Sequence, residues 1–449
     1  MRVRQAELTG FGRHIRVATS VATPERLSEA LSIADEHVVA RGGGNSYGDI
    51  AIAAEGITVD MTHMTRVLEW APDFSTIRAE AGVQVGALLR YLNQRGRTLA
   101  VAPGAPTATL GGCVAMDVHG KNAHSRGSFG DHIISLDLIG RTGLQRLSPE
   151  GDEQTFIKTI GGMGSTGVIY AIEFRTLPSP TGAIQVAHEQ TNCLQTSLDR
   201  LTGRCATHEF VYAWIDPMAS GRSRGRGVVW YADHLPVASH AAMGAGEETS
   251  DGRALRTVPV PRVGIGASQL ATSAVTQLAW RASKRNQHVA ILQDEYSFHF
   301  PFARAPAWAN AYGKRGFYER QYWFPENAAG EGIGQILSLR AEHRSPAMFG
   351  SLKRFATTSR GPFGFVRPGI SLALQLPRQG LDPGLISKMN RVVEECGGGE
   401  YLAKTQEEPT NMLMNIGGDG RHLPVTFPTE YASANAFFAR NAGKSNLAR

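Results

Sequence analysis

Two glycine-punctuated stretches carry the residues of this chain best suited to hold an anion. The first, Arg41-Gly42-Gly43-Gly44-Asn45-Ser46-Tyr47-Gly48-Asp49, directly follows a strand-like run. Consecutive glycines let the backbone turn several N–H groups onto one anion, as a nest does for a pyrophosphate. Ser46 and the Tyr47 amide add donors, although the segment taken alone reads equally well as a tight turn. The second stretch runs from Pro103 through Gly104, Thr109, Gly111, Gly112, Cys113, Asp117, His119, Gly120 and Lys121 to Asn122. Its small and polar residues imply a backbone laid close against a flat polar ligand, since so long a loop rarely persists without a partner.

Three further features invite chemistry. His119 and His124 fit no standard helical ligand pair and have no third ligand nearby, so no metal is expected. Gly162-Met163-Gly164-Ser165-Thr166-Gly167 matches GxGxxG, but it lies past residue 160 and runs into a strand rather than opening a helix. A Rossmann NAD site is therefore rejected, while the glycines still let the backbone approach another nucleotide. Lys404 ends a short apolar strand that follows Gly397-Gly398-Gly399, and by spacing alone it is more often a surface charge than a site residue.

The elements that must position these residues alternate along the first part of the chain. Thr23-Pro24-Glu25 predicts a helix start, with helix to about Glu36. Strands are expected at residues 37–40, 57–61, 75–81 and 168–174, and a helix at 86–93 with Leu88, Leu89 and Leu92 on one face. Past Pro178-Ser179-Pro180 strand signals dominate, at 209–214, 227–231 and 372–376, with an amphipathic helix at 383–395. The Gly-, charge- and Pro-rich stretch 241–261 reads as a long loop.

Composition narrows the class. At 449 residues, with 42% hydrophobic and 19% charged residues, the chain is an ordinary globular enzyme of two domains or of one domain with a large insert. A net charge of +6 and a pI near 9.2 allow a phosphate-bearing substrate, a nucleic acid or an anionic membrane surface as partner. No zinc-finger or RNA-binding signature accompanies the charge, so nucleic-acid binding is not expected. Cys113, Cys193, Cys205 and Cys396 are widely spaced and fit reduced thiols of a cytosolic protein. The N-terminus has no signal-peptide core, and no stretch nears ~20 apolar residues. The expected location is cytoplasmic, with membrane contact at most peripheral.

Taken together, RGGGNSYGD, PGAPTATLGGCVAMDVHGKN, GSFGDHIISLDL and TIGGMGSTGVI resemble the FAD-binding half of the vanillyl-alcohol oxidase-type (PCMH-type) flavoproteins. Within them the resemblance is strongest to the decaprenylphosphoryl-β-D-ribose 2′-oxidase group. Leu8 to Arg13, Ala311 to Phe317, Glu319 to Pro325, Leu352 to Phe355 and Tyr401 to Lys404 extend it over most of residues 8–405.

The resemblance implies an α+β fold: a PCMH-type FAD-binding domain of two α/β subdomains, with an inserted antiparallel-sheet substrate domain flanked by helices. The FAD-binding domain would take residues 1–180, the substrate domain 181–398, and residues 399–449 would return to the FAD domain. Arg41 to Tyr47 and the 103–122 loop would hold pyrophosphate and flavin, and Gly164, Gly167 and Ile169 would lie near adenine and ribose. Lys404 is implied beside flavin and substrate, and His119 and Lys121 in the flavin-side loop. Tyr47, His119, Gln321, Lys353, Phe355, Ser371, Ala373 and Lys404 would line the substrate pocket.

The implied reaction oxidises a secondary alcohol on a sugar or sugar-phosphate to a ketone by hydride transfer to flavin N5. Lys404 would stabilise the charge on reduced flavin, and Lys404, Lys353 and His119, in that order, are candidate proton acceptors. The alternative is an aldonolactone-, alditol- or natural-product-type alcohol oxidase that uses O2 and releases peroxide. The resemblance also implies an NAD(P)H-dependent short-chain reductase that takes the keto product and completes an epimerisation. Three departures matter. Asn45 stands where covalent members carry a histidine, which implies non-covalent FAD. Ala373 stands where members of the group carry a pocket cysteine. The tail from Gln406 lacks the group's usual ending, which leaves a polyol, aminosugar or nucleoside-type alcohol open as substrate.

Overall fold

The structure, a computed structural model, describes residues 1–13, 15–33, 38–140, 142–237, 264–361 and 363–404. The 241–261 stretch and the tail from residue 406 lie outside the described residues.

Three sheets order the chain. The smallest runs Arg2–Thr9, Arg16–Thr23, Ile57–Asp60, Val38–Arg41, antiparallel in its first pair and parallel in the others. The first glycine loop leaves from the end of Val38–Arg41, at the sheet's edge. The second sheet runs Val67–Trp70, Thr76–Glu80, Val168–Pro178, Ile133–Gly140, Gly143–Leu147, with Arg97–Leu99 also on Val168–Pro178. Helix Val85–Asn93 lies in its core through Leu88, Leu89 and Leu92, packed with Ile77, Ile172 and Phe174.

The third sheet has eight antiparallel strands, in the order Ile291–Asp294, Ala183–Thr191, Gly227–His234, Phe210–Ile215, Gly350–Phe355, Gly369–Pro377, Phe317–Phe324, Gly399–Glu400. Successive side chains on a strand point to opposite faces. Tyr322, Phe324, Leu352, Leu372, Leu374 and Leu376 therefore share one core with the helices Ala329–Glu342 and Pro383–Glu395. Burial of each such side chain contributes roughly 1.5–3 kcal/mol, so a one-residue slip that turned them outward would be prohibitive. The same constraint sends Glu319, Gln321, Lys353, Ser371, Ala373 and Gln375 to the other face. Antiparallel sheets with helices segregated on their faces make the fold α+β.

One expected element is displaced. The helix predicted from Thr23-Pro24-Glu25 covers Leu27–Leu31 with Arg26 at its N-cap, and residues 34–37 lie outside the described residues. Thr23 is paired with Arg2 as the last residue of a strand, so ladder hydrogen bonding overrides its capping propensity.

Candidate active site

Three loops converge on the short helix Leu110–Ala115, which Thr109 caps by accepting from the Gly112 N–H at 3.3 Å. At its start the 41–48 loop lies so close that a Cβ on Gly43 would sit 1.9 Å from the Thr107 carbonyl oxygen, and one on Gly42 2.1 Å from Thr109 Oγ1. Only glycine allows that approach. Thr107 Oγ1 adds a hydrogen bond to Asn45 Oδ1 at 3.0 Å. At the helix's other end the Gly161 and Met163 N–H groups donate to the Val114 and Ala115 carbonyls, at 2.9 and 2.8 Å. The GxGxxG segment is thus a turn from helix Glu153–Thr159 into strand Val168–Pro178.

The faces these loops leave open suit a flat, polar ligand. Above Gly104 and Gly164, a Cβ would meet nothing within 4 Å. The Asn45 amide nitrogen is buried with no hydrogen-bond partner among the described residues, a donor set beside the glycine loop. Other residues of the implied cofactor set are engaged within the protein at one or more atoms. Arg41 Nη2 donates to the Thr9 carbonyl at 2.9 Å and lies under Gly44. Cys113 and Ile169 belong to the second sheet's core. Asn122 Nδ2 donates to the Ala100 carbonyl, and Asp117 is buried with Oδ1 accepting from the Gly130 N–H, both at 2.9 Å. Arg41, Cys113 and Ile169 thus support the loops, whereas Asp117 Oδ2 and Asn122 Oδ1 are, like the Asn45 amide, buried with no hydrogen-bond partner among the described residues.

The implied substrate residues do come together. His119, from the second glycine loop, meets the open face of the large sheet. Its Nε2 is 2.8 Å from Gln321 Nε2, which also donates to Ser371 Oγ at 2.9 Å. Its Nδ1 is 3.3 Å from Lys353 Nζ. The ring is walled by Phe355, Phe365 and Tyr401, with centroids 5.0, 5.8 and 5.6 Å away. Gln321 pairs with Ala373 across the sheet, and Lys353 with Ser371. Tyr401 ties this wall to the loop, its hydroxyl donating to the Met116 carbonyl at 2.9 Å.

Lys404 stands beside this cluster, and its charge is matched. Its ammonium pairs with the buried Glu319 carboxylate and lies 4.7 Å over the Tyr47 ring. Glu319 also accepts from the Tyr47 hydroxyl and from Gln375 Nε2, each at 2.6 Å. The Tyr47 N–H donates to the Ala403 carbonyl at 3.3 Å, holding the Lys404 turn against the first glycine loop. Glu319, Gln375 and the aromatic wall of Phe365 and Tyr401 are absent from the set read in the sequence. The one available signal is spacing, since Glu319 is two residues from Gln321 and must share its face.

Burial governs the electrostatics. Desolvation, with Lys404 nearby, pushes Lys353 down to about 7. Burial and Lys353 push Lys121 down to about 7 as well. Burial, then Lys353 and Lys404, hold His119 well below its usual value, so it is neutral. Burial would raise Glu319, but Lys404 outweighs it and keeps the carboxylate charged. With the Gln321 amide donating to His119 Nε2, the single proton of the neutral ring sits on Nδ1. It then donates to Lys353 Nζ, which accepts only as a neutral amine. The Lys121 ammonium lies in a slot between the Tyr212 and Phe298 rings, 4.7 and 4.2 Å from their centroids, and donates to the Phe298 carbonyl. Its tip thus faces Tyr212 of the large sheet and Phe298 of the short helix Glu295–His299. His124, the other histidine weighed as a metal ligand, has Nε2 2.9 Å from the His208 carbonyl oxygen.

Comparison with known proteins places these loops. Residues 16–148 match the FAD binding domain family. The chain is 29% identical over 413 residues, 88% of each protein, to decaprenylphosphoryl-beta-D-ribose oxidase of Mycolicibacterium smegmatis. It is 30% identical over 166 residues, 37% of each protein, to L-gulono-1,4-lactone dehydrogenase of Mycobacterium tuberculosis. D-arabinono-1,4-lactone oxidase of Eremothecium gossypii is 26% identical over 196 residues, 42% of this chain and 36% of the relative. Among the described residues no helix is long and apolar enough to cross a membrane.

Proposed function

From the premise that this chain is an FAD-dependent oxidoreductase of the PCMH type acting on CH–OH groups, we propose that it oxidises a secondary alcohol on a sugar or sugar-phosphate to a ketone. The two smaller sheets are taken as the subdomains of the FAD-binding domain, with the eight-stranded sheet as the inserted substrate domain and the Lys404 turn as its return. Arg41 to Tyr47, Pro103 to Gly112 and the Gly164 turn would hold FAD, to which the open glycine faces and the unpartnered Asn45 amide are suited. With Asn45 at that position, the cofactor is held without a covalent bond.

When bound, FAD supplies a two-electron acceptor for the carbinol hydride. The remaining tasks fall to this chain's residues. The observation that carries the reading is the Lys353–His119–Gln321–Ser371 chain, with the Lys404–Glu319 pair close enough to act on Lys353 electrostatically. Lys353, whose single lone pair accepts the His119 Nδ1–H at rest, turns that lone pair to the substrate hydroxyl to take its proton. His119 stays neutral and orients the amine, while Gln321 and Ser371 fix the ring. Lys404 keeps two N–H donors beyond its contact with Glu319 and presents them where negative charge develops. Lys353 is preferred to Lys404 as proton acceptor because Glu319 holds the Lys404 proton in place.

A short-chain reductase consuming the keto product remains part of the proposal. The lactone-type reading draws support from relatives that align over 37–42% of this chain, whereas the ribose oxidase aligns over 88%.

The test is a visible spectrum of the purified protein before and after acid precipitation, followed by anaerobic titration with candidate sugars and sugar phosphates. Flavin released into the acid supernatant and bleached by one sugar is the expected result. A protein that takes up FAD but is bleached only by aldonolactones or alditols would replace the proposal with the lactone-type reading. Peroxide formed in air would identify O2 as acceptor.

A further inference from the structure

The helix Gln269–Ala282 is amphipathic in the wrong sense for a globular surface. At 100° per residue, Thr272, Thr276, Gln269 and Gln277 fall on one side, and Thr272 and Thr276 are the buried residues of the helix. That polar side is bonded to the large sheet's surroundings. Thr272 Oγ1 donates to the Ile265 carbonyl at 3.1 Å, and Trp280 Nε1 to the Thr191 carbonyl at 3.1 Å. Arg226 reaches Gln277 and lies 4.3 Å over the Trp280 ring. The opposite side carries Leu270, Ala274, Val275, Leu278 and Ala282, with Leu270 84% exposed and Leu278 63%. Ile265, Val289 and Ile291 are further exposed apolar residues in the segments that flank the helix in sequence. Leucines and a valine exposed together on one side of one helix mark a surface that something else covers.

Charge says what covers it. From Gly264 to Gln293 the chain has no Asp or Glu, yet Arg281, Lys284 and Arg285 stand exposed at the helix's end. The turn that holds Arg226 adds an exposed Arg222. A second copy of this chain would bring the same basic rim against itself. An apolar face with a cationic border instead matches a sheet of hydrocarbon overlaid by negative head groups.

We propose that the Gln269–Ala282 helix seats this enzyme on an anionic lipid bilayer, its leucines entering the head-group boundary and Arg281, Lys284 and Arg285 contacting lipid phosphates.

The experiment is co-sedimentation of the full-length holoenzyme with phosphatidylcholine vesicles, with and without phosphatidylglycerol. Binding to the anionic vesicles, weakened by salt, is expected. Leu270→Ser with Leu278→Ser, and separately Arg281→Glu with Lys284→Glu and Arg285→Glu, should each lower partitioning at least about tenfold. Both variant sets lie on exposed positions, and an unchanged flavin spectrum and unfolding temperature verify the fold. Absence of binding to anionic vesicles overturns the proposal, as does binding that both variants leave intact. A dimer in sedimentation equilibrium that the leucine variant dissociates would assign the face to a second copy instead.

Discussion

Lys353 Nζ lies 3.3 Å from His119 Nδ1, across 234 residues of sequence. Neither residue could be held this way alone. The imidazole is fixed on its far side by Gln321, and burial and Lys404 push the amine down to about 7. The contact joins the FAD-side loop to the sheet that faces it.

Because Lys353 titrates near 7 and acts as the neutral amine, flavin reduction by substrate should rise with pH through about 7 and then level. Lys353→Gln should lower the rate about 10²–10⁴-fold and abolish that inflection. Anaerobic stopped-flow measurements across pH decide the matter, and an inflection that survives in the variant would assign it to another group.

Lys404→Met should leave FAD content near normal while slowing flavin reduction by about 10²–10³-fold, the usual cost of removing a preorganised donor from developing charge. Near-normal reduction in this variant would falsify the role given to Lys404.

Glu319→Gln keeps the shape of the site but leaves the Lys404 ammonium without its countercharge and the Tyr47 hydroxyl facing an amide. Breaking a buried pair from one side costs about 3–5 kcal/mol. A lowered urea midpoint at unchanged m-value is expected, and Lys404→Met in the same chain should restore part of it.

The two halves of the molecule are also stapled away from the site. His234 lies 2.7 Å from Glu209 through Nδ1 and 2.7 Å from Glu295 through Nε2, while Glu295 accepts from Ser179. Burial alone would lower the His234 pKa, but the two carboxylates raise it from 6.5 to about 9. A base with a raised folded pKa stabilises fully below its unfolded value and loses that contribution as pH climbs through the folded one. The stability gap between wild type and His234→Gln, roughly 2–3 kcal/mol near pH 6, should therefore close between pH 6.5 and about 9. Urea titrations at several pH values measure it, and a gap independent of pH would mean that His234 is not charged in the fold.

Gly104→Val should fold normally, since a Cβ there meets nothing within 4 Å. It should nevertheless purify with little FAD, because the added bulk occupies the face proposed for the ligand. Flavin content read against the thermal unfolding of the apoprotein separates the two effects.

Much of the site is legible in the sequence where its signal is local. The glycine loops announce themselves by composition, and the Pro383–Glu395 helix appears with the boundaries its periodicity predicts. The Leu27–Leu31 helix is less legible, because a strand pairing 21 residues back in sequence claims Thr23. Glu319 is harder still. Its strand, FYERQYWF, is buried on both faces, so no polar–apolar alternation shows which charges point where. Arg320 donates to Glu400 at 2.7 Å on one side while Glu319 meets Lys404 on the other.

The sequence by itself determined the glycine loops and the identity of the polar residues available to a site, because these follow from residue type and short-range spacing, and it pointed to the α+β class through the resemblance its motifs carry. Only the tertiary structure decided which charges meet. It placed Lys353 against His119, Lys404 against Glu319, and the Lys121 ammonium in an aromatic slot. Register across eight strands and the seating of the glycine loops on that sheet set these contacts. The resulting burial, which shifts the lysines toward neutrality, arises only when distant segments exclude water together.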